Sequence, residues 1–345
     1  MTTGAIWAGS PVRLPGRDAL CNSHAAGRAH CRLWRPLREI TVTDLVTYPI
    51  KSCAGIHLQD AGVTPNGLEL DREFMLIDEG DDFLSQRKIP QLALIVPAVE
   101  GPSLTVTAPG MEPLRIPLEI EPDDTRLITA TVHGRPVTGQ VLAEEANEWF
   151  TEFLPPYKGH RALRAVRVRD DLPRYISERY RHPRASNRVG FADGSAMLLA
   201  SEASLAALND ELERPVSMNR FRPNIVVNGP ELAPYEEDHW TELQIGGLRV
   251  FVTKPSDRCV TIDVDQSTAV TGRAVRRALR SRKGVNVYDD SNSGIFFAQN
   301  LNHLHKPGVT LEVGDLVEVV ARRPSPNVLL KAAHEGLEAR TSRQG

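Results

Sequence analysis

From Ile40 onward, apolar positions recur in short runs cut by turn residues, a texture that predicts strands. The runs are ITVTDLVTYPI, GIHLQDAGV up to a Pro65-Asn66-Gly67 turn, and FMLID before an acidic turn from Glu79 to Asp82. LALIVPAV and SLTVTAPG continue the pattern. The period then changes. EEANEWFTEFL places Ala146, Trp149, Phe150, Phe153 and Leu154 on one helical face, and Pro155-Pro156 ends that helix. Such a stripe is what a helix packed on a sheet requires, so it reads as core.

Between 161 and 188 lie nine arginines with two prolines, read as an irregular interdomain connection and a solvated basic run. Contact with an anionic ligand or redox partner is the alternative. Next come a strand at MLLA, a helix from Ser201 to about Leu212 with Ser201 as N-cap, and a strand at NIVVNG. LQIGGLRVFV predicts a hairpin in which Gly246-Gly247 supplies positive φ angles. GRAVRRALRSRKG predicts a basic amphipathic helix ended by Gly284, and VTLEVGDLVEVV two short strands about a Gly314-Asp315 turn. The fold class expected is mainly β with flanking helices (α+β), without internal repeats. Residues 1–38 lack either periodicity and read as a disordered extension, and 325–345 as a C-terminal tail.

A length of 345 residues suits about two domains. With 41 Lys plus Arg against 44 Asp plus Glu, nothing draws the whole protein to nucleic acid or to anionic membranes. Any anion site must be local. No apolar run reaches the roughly 20 residues of a spanning helix, and the first 40 residues lack a secretory stretch, so the chain reads as cytoplasmic. The four cysteines, Cys21, Cys31, Cys53 and Cys259, form no CxxC pair and match neither zinc nor ferredoxin spacing. Electrons, if needed, come from another protein.

Cys259 falls just beyond the second hairpin strand, between Asp257-Arg258 and VTIDVDQS. Arg258 would favour its thiolate, the form that binds a soft metal or attacks a sulfur donor. A lone cysteine is otherwise an ordinary small hydrophobe.

Six segments in order, YPIKSC (48–53), LELDREFMLID (68–78), GSAMLLASEASLAALN (194–209), FRPNIVV (221–227), KPSDRC (254–259) and FFAQN (296–300), resemble the MOSC family in its branch with an N-terminal β-barrel. That branch includes the mitochondrial amidoxime-reducing component and bacterial reductases of N-hydroxylated bases. The resemblance implies an N-terminal β-barrel domain over 39–165 and a MOSC domain over 166–324. It implies a molybdenum cofactor, Mo-molybdopterin, with Cys259 as the protein thiolate on the metal. Lys51, Ser52, Arg72 and Arg222 would anchor the cofactor, with Arg220, Asp193, Ser195, Asp257 and Arg258 around it and Asn300 near the metal. It further implies reduction of small N-hydroxylated compounds such as hydroxylamines and amidoximes, with a separate electron donor, a flavoprotein or ferredoxin. A family-level association with pyridoxal phosphate, and a cofactor-carrier or persulfide-transfer role, are the other implications. Two departures stand out: Ser256 replaces the first Cys of KPCxRC, and VTIDVDQS lacks the Pro of the TTVDP-like run. Cys53 reads as structural, and His57, His303 and His305 are general-acid candidates by type alone.

Overall fold

The computed structural model of the protein describes residues 39–159, 162–281 and 295–324. The expectations for Cys21, Cys31, Gly284 and both tails lie outside those residues.

An eight-stranded sheet carries the architecture. Its order is Ile56–Leu58, Thr41–Thr47, Ile225–Asn228, Met197–Ser201, Phe296–His303, Leu248–Asp257, Trp240–Ile245 and Val317–Arg322. Only the pair Met197–Ser201 with Ile225–Asn228 is parallel. The first two strands in this order come from the start of the described chain, so the sheet joins segments far apart in sequence. A four-stranded sheet, Phe74–Ile77, Arg164–Arg167, Arg135–Val141 and Leu127–Val132, is built from the first half. The mainly β expectation with flanking helices holds.

Two of the apolar clusters follow this division. Leu45, Leu199, Ile225, Trp240 and Leu301 pack under the large sheet, and Ile50, Cys53, Phe74, Leu92, Trp149 and Phe150 form a second core. The helix Glu144–Phe153 buries Ala146, Trp149 and Phe150, and Trp149 donates its indole N–H to the carbonyl of Glu112 at 2.7 Å. Cys53 is fully buried and its thiol is pushed up to about 12 by burial, which fits a packing role.

Local differences from the sequence reading have physical causes. LALIVPAV is a 3-10 turn, Pro90–Leu94, followed by a strand, Val96–Glu100, because the proline at the first position seeds the turn. The Ser201-capped helix ends at Asn209, whose side chain bonds both backbone groups of Val216. In the hairpin Gly246 alone takes positive φ, at 47°. The strands of VTLEVGDLVEVV do not pair with each other: Thr310–Glu312 joins Asp60–Thr64, whereas Val317–Arg322 joins Trp240–Ile245. The arginine segment is not simply solvated. Arg174 donates to the carbonyls of Gly190 and Ala192, Arg184 spans both oxygens of Glu242, and Arg169 pairs with Asp124 and Asp171.

Candidate cofactor site

A cavity of about 470 Å³ gathers residues from both halves of the chain. At one side the strand Thr41–Thr47 leads into Tyr48-Pro49-Ile50-Lys51, tied down by Lys51 N–H donating to the carbonyl of Phe74 at 2.7 Å. Buried Lys51 donates to the Phe191 carbonyl at 2.8 Å and pairs with Asp193. Burial lowers the lysine's pKa, and Asp193 opposes that shift. Asp193 remains 62% exposed to the cavity and also meets His133 Nε2 at 3.0 Å. Desolvation would raise its carboxyl, but Lys51 and His133 together hold it well below the usual carboxylate range.

Arg72 Nη1 donates to both carboxylate oxygens of Asp71, at 2.6 and 2.7 Å, and to Asn224 Oδ1 at 3.0 Å, and its Nη2 donates to the Arg222 carbonyl at 3.2 Å. Arg222 donates to the Cys53 carbonyl, and burial brings its guanidinium down to about 10. Ser52, Arg72 and Arg222 all adopt left-handed backbone, at φ 72°, 50° and 56°. Three such non-glycine residues beside one cavity mark a strained, overdetermined backbone of the kind that collects at functional sites.

Cys259 follows the strand Leu248–Asp257, which is longer than the sequence predicts because register shifts after Val252 and Pro255 carry it past the proline. Arg258 fixes this corner. Its backbone N–H donates to the Ile295 carbonyl at 2.7 Å, and its guanidinium donates to Ser256 Oγ at 3.0 Å and the Phe221 carbonyl at 2.7 Å. Burial lowers Arg258 to about 10, with Cys259 acting in the opposite direction. The Cys259 sulfur is exposed, lines the cavity and lies 3.1 Å from Thr261 Oγ1. Ser195, bonded to Thr253 Oγ1 at 3.1 Å, and Asn300, Asp257, Ser52 and Arg258 also line the space.

Arg220 is the exception among the sequence-derived residues. It is not brought to the cavity: its guanidinium pairs with Asp265 at 2.8 Å and donates to the Asp263 carbonyl, pinning the loop after Cys259. That loop, which lacks the expected proline, is shaped by Asp265, whose carboxylate accepts from Ser267 and Thr268. The Ser267 hydrogen bonds hold it down at about 2.

The histidines singled out by type are elsewhere. His57 pairs with Asp44 on the surface, and neither it, His303 nor His305 lines the cavity. His133 does, together with Arg87, Asn224 and Lys254. His133 and Arg87 lie in segments without a distinctive pattern, so only folding could reveal them.

The chemistry of this lining is specific. Six Lys and Arg side chains (Lys51, Arg72, Arg87, Arg222, Lys254 and Arg258) face two aspartates, Asp193 and Asp257, in a protein of net charge -3. Arg222 Nη2 and Arg258 Nε are buried without a hydrogen-bond partner. Among the described residues, no three of His, Cys, Asp or Glu gather to hold a metal ion. A metal placed here would take one sulfur from the protein and its other donors from an anionic organic group.

The family model for the MOSC N-terminal beta barrel domain matches residues 39–156, and that for the MOSC domain matches 186–318. Mitochondrial amidoxime reducing component 2 of Bos taurus is 34% identical over 293 residues, covering 82% of this chain and 84% of that one. The chain belongs to the MOSC family. This MOSC protein is also 32% identical over 306 residues to mitochondrial amidoxime-reducing component 1 of Mus musculus, covering 86% and 87% of the two chains. A molybdenum cofactor sulfurase of Bos taurus is 28% identical over 264 residues, 72% of this chain and 29% of the sulfurase.

Proposed function

We propose that this MOSC protein holds a molybdenum-molybdopterin cofactor through Cys259 and reduces small N-hydroxylated compounds with electrons from a separate protein. One observation carries the reading: an exposed cysteine sulfur shares its cavity with a cationic cradle built from other elements. The residues fit such a group. The uncommitted N–H donors of Arg222 and Arg258 suit a phosphate or pterin acceptor, and a single thiolate suits a metal whose remaining donors are the cofactor's own.

When bound, the cofactor would supply two-electron removal of oxygen from an N–O bond. The chain's own residues position and shield it. Lys51, Ser52, Arg72 and Arg222 would grip its phosphate, Arg258 would balance charge beside the Cys259 thiolate, and Asn300 would border the substrate's place. Each turnover, R–NHOH plus two electrons and two protons giving R–NH2 and water, needs its electrons delivered from outside the chain.

The test compares molybdenum content and viologen-driven reduction of an N-hydroxylated base in wild type and Cys259→Ser. Turnover should fall by more than about 100-fold in the variant, with pterin retained by the cradle; equal activity would refute the assignment. A second reading, a carrier of cofactor or persulfide, draws on the exposure of the Cys259 sulfur and the sulfurase relative. Purified protein bearing a persulfide and no stoichiometric molybdenum would favour it.

A further inference from the structure

Lys254 and the exposed Arg87 stand apart from the other cations of the cavity, and Arg87 is engaged with Ser85 Oγ at 3.5 Å and His133 Nδ1 at 3.4 Å. Lys51 is neutralised by Asp193, Arg72 by Asp71, and Arg222 and Arg258 are spent in part on backbone carbonyls. Lys254, half-buried, forms no ion pair with any carboxylate among the described residues. Its ammonium is held instead over the ring of Tyr180, 4.5 Å from the centroid, an arrangement that locates the charge without cancelling it.

Its position is equally defined. A register shift after Val252 makes Lys254 the direct cross-strand partner of Asn300, and both side chains face the cavity. Gly194 lies beneath them: a Cβ there would come within 3.4 Å of Asn300 Oδ1 and 3.7 Å of Lys254 Cε. The Lys254 side chain and the Asn300 amide therefore converge on one spot beside Gly194. This corner is on the strands Leu248–Asp257 and Phe296–His303, whereas the cradle of Lys51, Arg72 and Arg222 comes from other elements.

We infer that Lys254 is a specificity-determining residue, which selects N-hydroxylated substrates that also carry a carboxylate or phosphate. The inference rests on the reductase reading for the N-hydroxyl group, but the anion preference is a property of the corner itself. An uncancelled, partly desolvated ammonium gains more from an anionic ligand than from a neutral one, and the gain weakens as salt rises.

The full chain loaded with molybdenum cofactor tests this with a neutral aryl amidoxime and its ring-carboxylate counterpart, by steady-state kinetics and by calorimetric binding. Wild type should favour the carboxylate compound. Lys254→Gln should lower the carboxylate-to-neutral ratio of kcat/KM about tenfold, through KM, and Lys254→Arg should restore most of it. Added salt should erode the wild-type preference and leave the Gln variant's ratio little changed. Binding separates the two readings: with no turnover at all the reductase reading fails, and the calorimetric ratio alone decides this one. A ratio unchanged in Lys254→Gln overturns the inference. So does loss of pterin from that variant, which would assign the ammonium to the cofactor's phosphate.

Discussion

Arg72 and Arg222 share one aromatic ring: their guanidinium carbons lie 4.3 and 4.2 Å from the centroid of Tyr48, and Arg72 donates to the carbonyl of Arg222. Two like charges this close are tolerated because the ring face, the Asp71 carboxylate and backbone carbonyls all compensate them. Burial raises the Tyr48 phenol to about 12, so the ring stays neutral under physiological conditions. The pair gives the cavity a fixed planar donor surface.

Replacing either arginine by lysine should therefore weaken the cradle although charge is kept. The planar fork and the stacking on Tyr48 are lost, and pterin retention in Arg72→Lys or Arg222→Lys should drop about tenfold. Pterin fluorescence after dialysis measures it; retention equal to wild type would show that charge alone suffices.

Arg72→Ala should act on stability too. Asp71 is buried, and without Arg72 it keeps only the Asn224 amide and the Tyr48 N–H as donors. A carboxylate stripped of its cation in that setting costs about 3 kcal/mol, readable as a lower urea midpoint at unchanged slope. A midpoint within error of wild type would mean that the ion pair adds nothing.

Gly190 supports the same corner from behind. A Cβ at Gly190 would lie 2.6 Å from the Arg72 carbonyl oxygen, which also accepts from Phe191 N–H at 2.6 Å. Gly190→Ala should destabilise the chain by about 1 to 3 kcal/mol and loosen pterin binding by displacing Arg72. Wild-type stability and retention in this variant would show that the backbone there can yield.

Acid sensitivity should trace to His303, which does not line the cavity. It is fully buried, bonded through Nε2 to the Thr64 carbonyl at 2.9 Å, and burial depresses it to about 4. Its folded value is below the unfolded one, near 6.5, so the unfolded chain takes up the proton first as pH falls. Stability should decline from about pH 6.5, level off near pH 4, and lose at most about 3 kcal/mol to this group. His303→Gln should flatten that part of the melting-temperature profile; an identical slope would place the acid sensitivity elsewhere.

Much of this molecule is written locally. The alternation in ITVTDLVT, the stripe in EEANEWFTEFL and the Ser201 cap specify strands and helices through neighbours within a turn or a pleat, and those elements form where the pattern puts them, the Ser201-capped helix ending earlier, at Asn209. The ordered motifs likewise identify the family and name most of the polar side chains of the cavity lining, Lys51, Ser52, Arg72, Asp193, Ser195, Arg222, Asp257, Arg258, Cys259 and Asn300. What no local pattern holds is pairing at a distance. That Arg220 turns to Asp265 and away from the cavity, that His133 meets Asp193, and that a register shift sets Lys254 opposite Asn300 were decided only when remote segments came together. The direction of a side chain depends on strand register and on which partners burial leaves available, and both are properties of the assembled fold.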